Sequence, residues 1–194
     1  MISQVELIGE NRRPRYTGQK VSTTLAGIRS MVMDIREDRI SVFDWHRKFQ
    51  QNKLLLFPDY KRYLFWNDEQ KTRFIESIWL NMPLPPFYVR EDLRGRYILF
   101  DGLQRTVALF DFLEKKDFIL QGLQVLTELN GKSISQLDSS LTAAIEGKQL
   151  IFYVIKLSVP VTMDFEIFTR INKRRDKRNI NKRLESVSRM LRNE

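Results

Sequence analysis

The 194-residue chain has no cysteine and a single histidine. The first absence excludes disulfides, thiolate metal sites and cysteine nucleophiles, and fits a reducing cytoplasm. The second excludes His-rich zinc sites and argues against a histidine-based nuclease centre. His46 falls in the helix-like stretch Phe43-Asp44-Trp45-His46-Arg47-Lys48-Phe49, where it reads as a partly exposed helix residue. No apolar run approaches the length of a membrane span, and Met1-Ile2-Ser3-Gln4-Val5-Glu6 lacks the basic-then-apolar layout of a secretion signal. The expectation is a cytoplasmic protein with no membrane partner and no metal-ligand cluster. Internal repeats and low-complexity linkers are also missing.

What is present supports one domain with extensions. The chain is 42% hydrophobic with 13 Phe and 3 Trp, enough for a real core. Its formal charge of +9 is uneven: Arg170 to Glu194 hold ten Lys/Arg against three acids, a surplus of seven that leaves two for the rest. The natural partner of such a segment is a polyanion. The expected division is a basic N-terminal segment over 1–20, a domain over 21–172 and a basic extension over 173–194.

The chain pattern predicts mixed α and β structure. Ser22 or Thr23 caps a helix running to about Arg36, with Leu25, Ile28, Met31, Val32 and Ile35 on one face. Ile40 to Val42 reads as a short strand, Phe43 to Gln51 as a helix, and Leu54 to Pro58 as an apolar strand. An aromatic and basic loop, Asp59 to Trp66, precedes a helix that Asn67 caps and Gln70 closes in a capping box. Pro83-Leu84-Pro85-Pro86 ends that helix and forces extended chain. Phe87–Arg90 and Tyr97–Phe100 form a hairpin around residues 92–96. Leu129 to Lys132 is a turn, Ser139 to Glu146 a short helix, and Gln149 to Ile155 an apolar, central strand. Thr162 caps a further helix, and a last, mostly charged one starts near Ile180.

The stretch Tyr97 to Phe110 organises the rest. A β-favouring run turns at Asp101-Gly102 and continues with Leu103, Val107 and Phe110 at helical spacing. A strand–turn–helix of this kind leaves backbone N–H groups at the helix start, where the helix dipole adds partial positive charge. Arg105 in the first turn can reach the same point, which makes an anion or phosphate site. Taken alone, Asp101-Gly102 also reads as a plain turn and cap.

Four blocks in order carry a family resemblance: Phe57-Pro58-Asp59-Tyr60-Lys61-Arg62 through Trp66; Gln70 through Glu76-Ser77 to Pro83-Leu84-Pro85-Pro86; Asp101-Gly102-Leu103-Gln104-Arg105; and Phe168-Thr169-Arg170-Ile171-Asn172. From about residue 40 to 185 the chain resembles the N-terminal domain of the GmrSD-type modification-dependent restriction enzymes, a branch of the ParB/sulfiredoxin-like superfamily. The resemblance implies an α+β fold, a small mixed sheet with surrounding helices, followed here by a basic helical C-terminal extension. It also implies binding of a nucleoside triphosphate with Mg²⁺, hydrolysis in some members, and action with DNA in restriction or phage defence. Asp101 and Gln104 are then the catalytic candidates. Lys61, Arg62, Gly102, Arg105 and Asn172 are the nucleotide and phosphate ligands, and Lys173, Arg174, Arg175, Lys177 and Arg178 meet nucleic acid. No nuclease centre is expected in the chain, so DNA cutting would need a partner chain.

Three departures bear on turnover. The family usually has Gln where this chain has Leu103, which cannot hydrogen-bond a water or phosphate. Lys61 replaces a usual Gln, and Lys173-Arg174-Arg175 replaces a usual Thr-Gly-Gly. Several roles stay open between two readings. Arg105 is a phosphate ligand or pairs with Asp101 or Glu69, and the resemblance favours the ligand. Asp101 positions a metal-bound water or a ribose hydroxyl, or caps the helix. Arg62 with Tyr60, Tyr63 and Trp66 clamps a base or phosphate, or those aromatics pin the loop to the core; for Trp66 the pinning role ranks first. The 173–178 run tracks a nucleic-acid backbone, or is a solvated face or a site for an acidic protein. The alternative to a nucleotide-binding domain is a non-catalytic module that binds nucleic acid or a partner protein.

Overall fold

In a computed structural model of the chain, the residues described are 34–56, 61, 64–115, 117–156 and 170. They build a five-stranded mixed sheet in which Ile35–Ser41 (β1), Gln149–Ile155 (β5), Phe87–Glu91 (β3), Tyr97–Asp101 (β4) and Leu54–Leu55 (β2) lie side by side in that order.

Strand β1 spans Ile35–Ser41, antiparallel to β5, Gln149–Ile155, with Ile35 opposite Ile155 and Ser41 opposite Gln149. The expected helix reaching Arg36 is therefore wrong at its end; residues 22–33 lie outside the described residues. Ile35 and Ile40 fit a helical period, but the alternation of half-buried and exposed residues from Arg36 to Ser41 is a strand pattern, and seven residues of ladder with β5 decide between them. The predicted strand at Ile40 to Val42 is a strand only to Ser41. That residue is the N-cap of helix α1, Val42–Gln50, and its hydroxyl accepts the Asp44 N–H at 3.0 Å.

Strand β2 is only Leu54–Leu55, parallel to β4, Tyr97–Asp101. Its expected continuation over residues 57 and 58 lies outside the described residues. Helix α2, Asp68–Trp79, starts with the expected capping box: Asn67 accepts the Gln70 N–H at 2.9 Å, and Gln70 Oε1 accepts the Asn67 N–H at 3.1 Å. Strand β3, Phe87–Glu91, follows the prolines and pairs antiparallel with β4 and parallel with β5. Strand β5 is interior as expected, although β3 is the middle strand. Helix α3, Leu103–Glu114, follows β4, and α4, Ser139–Gly147, is capped by Asp138. The helices expected after Thr162 and Ile180 lie outside the described residues.

The core gathers on Trp45, whose ring lies 4.4 Å from Phe152 and 6.4 Å from Phe87, with Trp45 and Phe152 both fully buried. Its indole N–H donates to Thr106 Oγ1 at 3.3 Å, locking α1 to the first turns of α3. A satellite cluster of Phe118, Leu120, Leu123 and Leu129 stabilises the 117–138 segment, which holds two short 3-10 turns. That segment is also held by buried Glu76 of α2, whose carboxylate accepts the N–H groups of Gln124, Val125 and Leu126 at 2.8–3.1 Å. Burial alone raises the Glu76 carboxyl, but the bonds from Leu126, Val125 and Gln124 prevail and hold it below the usual glutamate range.

Candidate functional site

The site starts from one backbone position. Gly102 has φ +103°, a left-handed conformation that side chains rarely adopt, and a Cβ there would collide with the Phe87 ring. Only glycine lets β4 turn this tightly beneath β3 and release the chain into α3. Gly102 is the helix N-cap and, having no side chain, makes no cap bond of its own.

Arg105, one turn into α3, reaches back across that bend. Its guanidinium donates to the Pro85 carbonyl, to the Pro86 carbonyl at 3.1 Å and to Asp101 Oδ2 at 3.2 Å. It also lies 4.3 Å from the centre of the Phe87 ring. The Asp101–Arg105 pair is largely buried, with side chains 13% and 11% exposed. Of the two partners expected from the sequence, Asp101 is the one it takes. Glu69 pairs instead with Arg73 at 3.9 Å. The proline block thus has a second use beyond stopping α2: its carbonyls are fixed acceptors for Arg105.

Gln104 is buried at 7% exposure, and its Oε1 accepts the N–H groups of Phe65 at 3.3 Å and Trp66 at 3.2 Å. The start of α3 is thereby tied to the segment that leads into α2. Trp66 packs 5.7 Å from Phe74 and joins the core, as the pinning role expects. Leu103 is also a core residue, 4% exposed, so the leucine that departs from the family pattern is spent on packing.

Phe65, Trp66, Asp101, Gly102, Leu103, Gln104 and Arg105 line a small pocket of about 40 Å³. At roughly 10–15 Å³ per water, that is space for about three waters or one tetrahedral anion. Tyr88 borders the same region, opposite Asp101 in the sheet. Burial first, then the neighbouring Tyr153 and Asp101, keep its phenol above the ordinary tyrosine range, so it stays a neutral hydroxyl.

The structure thus brings together Asp101, Gly102, Gln104 and Arg105 of the sequence-predicted site. Lys61 is exposed and lies outside the pocket lining. Arg62, Asn172, Lys173, Arg174, Arg175, Lys177 and Arg178 lie outside the described residues, as do Tyr60 and Tyr63. Sequence reasoning missed Phe65, which stands 65% exposed at the pocket. The signal was its place in the aromatic loop beside Trp66. His46 is a helix residue as expected, with Nε2 2.7 Å from Glu114 and its ring 5.0 Å from Phe110. Among the described residues no group of three or more His, Cys, Asp or Glu is placed to hold a metal ion, and no helix is long and apolar enough to cross a membrane.

A family model, that of the GmrSD restriction endonuclease, N-terminal domain, matches residues 43–179. No curated protein and no solved structure matches the chain.

Proposed function

The chain belongs to the GmrSD restriction endonuclease N-terminal domain family, and from that premise we propose that it serves restriction or phage defence as a ParB-like domain that binds a nucleoside triphosphate and acts with DNA. The observation that supports this reading best is the start of α3, where the helix opens at Gly102 onto a pocket that Asp101 and Arg105 share. Backbone amides and the helix dipole favour a phosphate there. Arg105 fixes the bend and adds positive charge beside it.

One carboxylate, that of Asp101, lines the pocket. Mg²⁺ binds through one or two carboxylates plus phosphate oxygens and water, so this donor set fits Mg²⁺ arriving with a triphosphate and not Mg²⁺ alone. Asp101 would hold that ion, which supplies charge neutralisation at the phosphates. Gln104 acts on the protein side, holding residues 65 and 66 against the helix. Lys61, Arg62 and Asn172 are further phosphate ligands in this reading, and the basic residues 173–178 contact DNA in concert with a nuclease chain.

A second reading, a non-catalytic module that binds nucleic acid or a partner protein, draws on two contacts. Leu103 is buried in the core, and the Gln104 carbonyl oxygen already accepts two backbone amides. Both reduce the polar groups at hand to orient an attacking water.

The deciding measurement is nucleotide binding and hydrolysis with Mg²⁺, for the wild type and for Arg105→Ala. Wild-type binding weakened about tenfold or more in Arg105→Ala supports the nucleotide site. Absence of binding by the wild type rejects it. Binding without turnover selects a binding-only domain. Removal of residues 173–194 should then abolish DNA binding, which otherwise falls roughly 10³-fold between 50 and 200 mM salt, and spare nucleotide binding.

A further inference from the structure

We propose that Phe65 is a stacking platform for a nucleobase, an inference that rests on reading the adjoining pocket as a phosphate site. Residues 64–67 run outside any helix or strand. Leu64 and Trp66 pack against the core, while Phe65 between them is 65% exposed. With Leu64 and Trp66 turned to the core on either side, Phe65 is the residue left facing solvent. Its backbone is held as well, because the Phe65 and Trp66 amides both donate to the buried Gln104 Oε1, at 3.3 and 3.2 Å. A loosely tethered phenylalanine would fold back onto apolar surface; this one is kept in water by four local anchors.

The pocket sets what belongs on that ring. Its cavity of about 40 Å³ takes one phosphate-sized group, so the sugar and base of a nucleotide must lie beyond it. Phe65 is the large exposed aromatic in the described lining. A ligand with an anionic end for the Gly102–Arg105 bend and a planar apolar end for Phe65 is a nucleotide. The base can come from a free nucleoside triphosphate or from a single-stranded polynucleotide, since stacking tolerates any base.

The test is calorimetric titration of the full chain with ATP, GTP, inorganic tripolyphosphate and a single-stranded oligonucleotide, comparing wild type, Phe65→Ala and Phe65→Tyr. Phe65→Ala should weaken ATP and GTP roughly 5- to 100-fold and leave tripolyphosphate unchanged, with Phe65→Tyr close to wild type. Loss confined to the oligonucleotide also supports the platform and assigns the base to a polynucleotide. Equal losses for tripolyphosphate and nucleotides overturn the proposal, because a stacking ring cannot act on a ligand without a base. Unchanged binding of every ligand overturns it too, while leaving the phosphate pocket standing. A wild type that binds neither tripolyphosphate nor nucleotides rejects the pocket reading, and the platform falls with it.

Discussion

Strand β4 has an aspartate–arginine pair at each end, and the two are built alike and used differently. Asp92 precedes the strand and pairs with Arg96 at 2.6 Å; Asp101 closes it and pairs with Arg105 at 3.2 Å. Each pair is four residues apart, and each surrounds a glycine with positive φ, Gly95 at +71° and Gly102 at +103°. The Asp92 side chain is fully buried, and its oxygens also accept the N–H groups of Arg94 and Arg96. All of its bonds are spent inside one hairpin. Asp101 instead lines a pocket, and its arginine spans to carbonyls nineteen and twenty residues back along the chain. A carboxylate satisfied by its own turn fixes local shape. One joined through its arginine to distant backbone ties separate segments together beside a cavity.

The glycines offer the sharpest way to break the likeness. Gly102→Ala must place a side chain in left-handed backbone and against Phe87, and should cost about 3 kcal/mol or more in denaturant unfolding. Gly95 meets nothing within 4 Å, so Gly95→Ala should cost only about 1 kcal/mol. Similar losses at the two sites would show that φ alone matters and that the bend at β4 is not crowded.

The carboxylates come next. Asp92→Ala strands two backbone amides and removes the carboxylate that the Arg96 guanidinium meets at 2.6 Å, for an expected loss of about 3 kcal/mol and unchanged nucleotide binding. Asp101→Ala leaves Arg105 its prolyl carbonyls and the Phe87 face, so stability should fall by only about 1 kcal/mol while Mg²⁺-dependent nucleotide binding is lost. The reverse ranking would exchange the roles of the two ends.

The smallest effect concerns Glu76, which resembles Asp92 in being buried and satisfied by loop amides. Its folded-state proton affinity is depressed, so the unfolded chain takes up a proton first as pH falls. Its stabilisation is fully present above about pH 5 and declines as pH drops through the ordinary glutamate range. In Glu76→Gln, the stability curve between about pH 5 and 3 should be flatter than in the wild type.

Much of this was readable before any coordinates. The Asn67–Gln70 box, the hairpin around 92–96, the glycine bend and the lengths of α1 to α4 all rest on bonds between residues a few positions apart. Strand β1 was misread because Ile35 suits a helix equally well, and its ladder partner is Ile155. The second use of the proline block was hidden for a like reason: Pro85 and Pro86 act through carbonyls, which no side-chain pattern displays. Phe65 and Trp66 stand side by side in the chain, and only packing tells the exposed ring from the anchor.

The amino-acid order by itself determined where the chain bends, most of the segments that coil or extend, the family, and that residues 101–105 form one corner. Tertiary structure alone decided that Arg105 faces Asp101 and two carbonyls, that Gln104 holds residues 65 and 66, and that Leu103 goes inward. Local conformation is set by neighbours that the sequence lists side by side. A hydrogen bond between segments tens of residues apart exists only after the sheet has brought them together.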